Sequence, residues 1–216
     1  MEKSINSASS PRQIKPAVAV GVVVLLWLGY TVVQTLFVTE WVSEAWSAIL
    51  GFVPGILGVG VLLAAGRSRE DCYLQCRRLS RRGFLVLAAV FVFALGAILP
   101  MSVWQGWDWM AALVYAPASG VSQELFFRAA LLPALQLTLK NRPGRALILH
   151  SVLFALWHIG PLFLGAPPWA VMAVMAVPLL SGIGWGWQVQ QDETVVWAMV
   201  QHSLIWVIGL QFALPS

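Results

Sequence analysis

Glu124 and Arg128 stand four residues apart in the run Ser122-Gln123-Glu124-Leu125-Phe126-Phe127-Arg128, within a stretch apolar enough to cross a bilayer. On a helix this spacing stacks them on one face. A single charge at the centre of a span costs roughly 2.5–3.5 kcal/mol on the insertion scale, and two unpaired charges about twice that. Pairing offsets part of this cost. A clamp between helices would be one use for such a pair, but intramembrane charge is functional by default. The chain has three histidines. His158 lies in Phe154-Ala155-Leu156-Trp157-His158 and His202 in Gln201-His202-Ser203-Leu204-Ile205-Trp206, each inside an apolar run, while His150 is near the end of one. A lone buried histidine is usually a hydrogen-bonded core residue. Two of them, with a carboxylate and a guanidinium, on three separate runs form a set suited to hydrolysis. A carboxylate or imidazole can take a proton from water, and a second imidazole can hold the oxyanion formed at a peptide carbonyl. The same Glu124, His158 and His202 could instead bind a divalent metal.

The elements that must bring these groups together are helices. A crossing helix needs about 20 apolar residues, and the runs that qualify are Pro16–Val38, Ala45–Ala65, Phe84–Val103, Ser119–Leu139, Ala146–Leu164, Trp169–Trp187 and Thr194–Leu214. The expected fold class is therefore all-α: a polytopic membrane helical bundle of about seven transmembrane helices. A shorter apolar stretch, Trp109–Ala116, precedes the fourth span, and Pro117-Ala118-Ser119-Gly120 is expected to break the helix there. Pro178 is expected to kink the sixth span. At 1.5 Å per residue, Glu124 sits roughly 8 Å below the outer end of its span, His158 roughly 18 Å and His202 roughly 12 Å from the inner ends of theirs. These depths overlap, so one polar cavity can hold all three.

The composition agrees. Of 216 residues, 59% are hydrophobic and only 10% charged, against about 25% charged in soluble domains. The net charge of +4 points to a membrane surface and away from nucleic acid, because the basic residues flank apolar runs. Lys3, Arg12 and Lys15 precede the first span; Arg67, Arg69, Arg77, Arg78, Arg81 and Arg82 separate the second and third; Lys140, Arg142 and Arg145 separate the fourth and fifth. All fall on one side, whereas the other carries Glu40, Glu44 and Asp108. By the positive-inside rule the N-terminus is cytosolic and the C-terminus outside, with Trp104, Trp107 and Trp109 as an outer aromatic belt. The style of the sequence fits a bacterial inner (plasma) membrane. Met1 to Lys15 reads as a mobile cytosolic tail, and residues 16–216 as a single transmembrane domain. The loop Gly66 to Arg82 reads first as a topology signal and second as a surface helix on anionic lipid. Its two cysteines, Cys72 and Cys76, are expected to form no disulfide in a cytosolic loop.

Taken together, Gln123-Glu124-x-x-x-Arg128, Phe154-x-x-x-His158 and His202 with Trp206 four residues on resemble the CPBP family, the type II CAAX prenyl endopeptidase and bacteriocin-processing membrane proteases, which include proteins like lysostaphin resistance protein A. The glycine-rich run Ser181-Gly182-Ile183-Gly184-Trp185-Gly186 also matches, and the family-like core covers about residues 110–212. The resemblance implies that His158 is the partner of a water-activating base, that His202 is an oxyanion donor, and that Glu124 with Arg128 orients the helix and tunes the cavity. Two positions depart. The family's first motif glutamate is Gln123 here, and its third motif asparagine is Trp206. An indole N–H is still a donor, but a neutral amide is no base. Members with glutamine at the first position do occur in the family. Either Glu124 has become the base with Gln123 orienting water, or His158 acts alone, or the protein is a non-catalytic relative.

The reading that follows is an intramembrane endopeptidase of glutamic type, independent of any cofactor, with a divalent metal at Glu124, His158 and His202 as the lesser option. Its partners are the lipid bilayer and a membrane-anchored protein or peptide substrate, with trimming or sorting of C-terminal tags among the family's uses. The alternative is a catalytically silent immunity or scaffold factor. A third reading is a small transporter with Glu124 and Arg128 as a proton or ion relay.

Overall fold

The computed structural model describes residues 14–40, 44–105, 109–140 and 142–213. Of the tail Met1 to Lys15 only Ile14 and Lys15 are among them; Lys3, Arg12, Trp107, Asp108 and the side chains of Glu44, Trp104 and Trp206 lie outside the described residues. Every regular element among the described residues is helical. They are α1 (Pro16–Val38), α2 (Glu44–Ala64), α3 (Arg81–Gln105), α4 (Ala116–Phe126), α5 (Leu132–Thr138), α6 (Pro143–Trp157), α7 (Pro168–Asp192) and α8 (Val196–Ala213). Three stretches are long and apolar enough to cross a membrane, Pro16–Phe37, Pro143–Leu164 and Pro168–Asp192, and shorter apolar helices cover Ile49–Ala64 and Val196–Ile205. Large apolar side chains point outward, among them Trp169, Met172 and Leu180. A helical bundle with an apolar exterior is a membrane-integral protein.

The bundle packs α4 against α2 and α8, α6 against α7, α1 against α2, and α3 against α8. Small residues set the approach. A Cβ added at Gly120 would stand 2.6 Å from the Ser203 backbone nitrogen, at Gly58 2.8 Å from Ala130, and at Gly182 3.1 Å from Ser151. This is how membrane helices gain dispersion energy without help from water. The ends of the helices gather on one face: Ile14 donates to the Ala64 carbonyl, Val195 to that of Tyr73, and the Gln190 amide to that of Pro143.

Three details differ from what the sequence suggests. Pro117 does not break the helix. A π turn at Ala111–Tyr115 leads straight into α4, and its wider ring makes room for a residue that lacks an N–H and clashes with the preceding turn. A second π turn, Phe127–Leu131, joins α4 to α5 as one rod, with Pro133 just after it. The fifth span is not one helix. α6 stops at Trp157, His158 leaves helical geometry at ψ 17°, and a 3-10 turn covers Gly160–Leu164. Pro161 is the cause, since it has no N–H to offer the Trp157 carbonyl and its ring would clash with that group in a continued α-helix. The Arg-rich loop is not a surface helix. It is built of turns and extended chain, and it is docked: Arg67 pairs with Asp71 at 3.1 Å, Arg77 with Glu193 at 2.6 Å, and Tyr73 bonds the Gln136 side chain. Cys72 is buried and Cys76 exposed, both as free thiols.

Candidate active site

Three helices and a π turn supply the site. Glu124 sits on α4, Arg128 in the π turn after it, His158 at the end of α6, and His202 on α8. Glu124 Oε1 is 2.6 Å from His202 Nδ1 and 2.9 Å from Arg128 Nη1. The guanidinium is the counter-charge of this carboxylate. The contact that directs the imidazole is the one to Glu124: a carboxylate only accepts, so His202 Nδ1 donates. Arg128 is wholly buried. Its guanidinium carbon lies 4.2 Å from the Phe154 ring centroid and 5.7 Å from that of Trp185, a desolvated cation–π contact of about 2 kcal/mol.

His158 is held differently. Its Nδ1 is 2.9 Å from the Phe154 carbonyl oxygen, which can only accept. Nδ1 therefore carries the hydrogen, and Nε2 of the neutral ring keeps its lone pair. The break in α6 matters here, because it turns the ring back onto the last helical turn. Aromatic rings hold both imidazoles in place. Phe154 stands 5.1 Å from His158 and 6.0 Å from His202 between centroids, Trp157 stands 4.8 Å from His158, and Trp185 4.7 Å from His202. Behind them Tyr30 on α1 packs on Phe126, Phe127 and Trp157, and Trp157 Nε1 donates to the Tyr30 carbonyl.

His158 and His202 line one cavity of about 530 Å³, walled mostly by apolar groups that include Val86, Val90, Val177 and Ile205. Residues 104–208, which hold every one of these site residues, match the family model described as "Type II CAAX prenyl endopeptidase Rce1-like". Over that stretch the chain is similar to that family. The family is one of proteases, so the matched region carries a CAAX-protease-like fold in a membrane protein. No curated protein and no solved structure matches the chain.

Within this Rce1-like region the residues singled out from sequence fall into three groups. Glu124, Arg128 and His202 come together in direct contact. His158 joins them across the cavity through Phe154. Gln123 is buried beside Glu124, is not among the cavity-lining side chains, and its Oε1 has no hydrogen-bond partner among the described residues. Trp206 lies outside the described side chains, so only its backbone in α8 is placed. No three of the His, Cys, Asp and Glu side chains among the described residues converge as a metal site. Ser181 and Trp185 also line the cavity. They were visible in sequence as part of the glycine-rich run, but what puts them on the wall is their four-residue spacing.

Proposed function

We propose that this protein is an intramembrane endopeptidase that hydrolyses a peptide bond in a membrane-anchored protein or peptide, with two histidines at the reacting atoms and no metal. The observation that carries the reading is that His158 and His202 share one cavity wall, each with Nδ1 already committed. His158 Nε2 is free to take a proton as water oxygen attacks the scissile carbonyl carbon. Where His202 carries a second proton, its Nε2–H donates to the oxyanion. Collapse of the tetrahedral adduct breaks the C–N bond, and His158 returns its proton to the leaving amine. Glu124 and Arg128 position His202 and touch no substrate. Gln123, a neutral amide, can orient water and cannot serve as base. The apolar wall suits an aliphatic or lipid-anchored segment, such as a C-terminal tag.

In the same reading the helical rods form a single domain from Pro16 onward. They cross a bacterial inner membrane about seven times, with the Arg-rich loop in the cytosol and the C-terminus outside, as the one-sided Lys and Arg support.

The test is proteolysis of candidate membrane peptides by purified protein in liposomes, with His158→Ala and chelator arms. Cleavage that His158→Ala abolishes and chelator leaves intact is expected. Cleavage abolished by chelator would move the reading to the metal set. The burial of Glu124 away from the cavity wall, with glutamine before it, favours one second reading: a silent relative. In that case Gln123→Glu switches on cleavage that the natural protein lacks.

A further inference from the structure

Beyond the cavity, towards the Arg-rich face, the helices that wall it change character. α3 lines the cavity with Val90 and Val86, α7 with Ser181 and Trp185, and α8 with Ile205; on the same helices Gly83 follows Val86, Gln188 and Asp192 follow Trp185, and Gln201 precedes Ile205. Steps of three and four keep each set on one helix face. Gln188, Asp192 and Gln201 are 2%, 6% and 0% exposed. Gln188 Nε2 reaches Asp192 Oδ2 at 3.4 Å, but Gln188 Oε1, Asp192 Oδ1 and both amide atoms of Gln201 have no hydrogen-bond partner among the described residues. Gly83 lets α3 come close to two of these side chains. A Cβ there would collide with Asp192 Oδ2 and stand 3.0 Å from Gln188 Nε2.

Buried polar groups are satisfied by protein or by ordered water. Three such side chains follow the cavity-lining positions of α7 and α8 towards the Arg-rich face and carry donors and acceptors together, which suits them to a file of water. We propose that Gln188, Asp192 and Gln201 line a hydrated passage that joins the cavity to the Arg-rich face and delivers the water for hydrolysis. Only that last role rests on the peptidase reading; the passage does not. Its cover is the segment around Arg77. The Arg77–Glu193 pair and the bond from Trp197 Nε1 to the Arg77 carbonyl at 3.1 Å hold it. The ion pair is partly exposed, of the kind that solvent and salt screen to little worth, so the cover lifts easily.

Cysteine accessibility tests this without a substrate. In a Cys72→Ala, Cys76→Ser background, Gln188→Cys and Gln201→Cys are exposed in sided vesicles to a charged, membrane-impermeant thiosulfonate. Val189→Cys, which faces the buried packing of Trp185 and Ala198, is the control. Both passage positions are expected to react from the Arg-rich face about an order of magnitude faster than the control, and faster again with Arg77→Ala. Rates no higher than the control's, with or without Arg77→Ala, or reaction from the opposite face alone, would overturn the passage. Proteolysis measured on the same vesicles separates the two ideas. Labelling without any cleavage sinks the peptidase reading, and cleavage without labelling sinks the passage.

Discussion

The Glu124–Arg128 pair sets a problem for any substitution at Glu124, because it leaves a wholly buried guanidinium without its counter-charge. Removing one partner of such a pair costs about 3–5 kcal/mol, whereas replacing both with apolar groups of similar volume is often neutral or stabilising. Glu124→Gln is therefore expected to lower thermal stability in detergent, and Glu124→Leu with Arg128→Met to regain most of the loss. If Glu124 also positions His202, the stable double variant stays inactive; recovery of both stability and cleavage would leave the pair a structural clamp. The two cysteines give a second contrast at this scale. Burial pushes the Cys72 thiol up to about 11, and the thiolate is the reactive form. At pH 8 only about one in a thousand Cys72 thiols is ionised. Maleimide at that pH is expected to label the exposed Cys76 and spare Cys72, and raising the pH to recruit Cys72. Equal labelling of both at pH 8 would mean that Cys72 is not buried in solution.

Among the elements, the α4–α8 contact decides whether the site exists. Gly120 meets the Ser203 backbone where the two helices are closest, and Glu124 meets His202 one turn along. Gly120→Ala puts a methyl into backbone that cannot rotate away. It is expected to cost about 1–3 kcal/mol of stability, the usual range for overpacking, and to reduce cleavage by more than that loss explains, because the 2.6 Å contact lengthens. Gly182→Ala, which meets Ser151 at 3.1 Å, is expected to do less. Matched thermal scans and cleavage rates for the two variants check the order. The elements also show where sequence reasoning reaches. The Glu124–Arg128 stack follows from helical periodicity alone. The meeting of Glu124 with His202 does not; rise per residue brought them only to overlapping depths, and a glycine contact chose the neighbour. The break at His158 was hidden in an unbroken apolar run, although Gly160-Pro161 carried the signal. Gln188, Asp192 and Gln201 look in sequence like residues near the ends of spans, and only the fold turns them inward. The metal alternative stands on residue types, and the chelator arm tests it; in the structure Glu124 touches His202, whereas His158 bonds the backbone of its own helix.

For the whole molecule, the same side-chain chemistry has opposite consequences on the two kinds of surface. Inside, charges are paired or stacked on rings. Outside, α7 exposes Leu180, Met172 and Trp169, large apolar groups that hydrocarbon accommodates better than water. Leu180 is 68% exposed and lies near the middle of the longest apolar stretch on α7, so it reports on the membrane directly. An arginine there has no acidic partner within its own helix turn and must face lipid. Leu180→Arg is expected to cost roughly 2.5–3.5 kcal/mol of insertion free energy and to reduce the membrane-integrated fraction, measured by alkaline extraction of membranes. Glu40→Arg, at an exposed turn after α1, changes charge by more but sits where water reaches, so integration is expected to hold. The six arginines from Arg67 to Arg82 outweigh one added charge on the sparse side, so orientation holds as well. Were Leu180→Arg to integrate as fully as the parent, the α7 face would be covered by protein and not by lipid. The cavity between α3, α6, α7 and α8 would then open onto a partner chain, and its apolar wall would no longer argue for a membrane-anchored substrate.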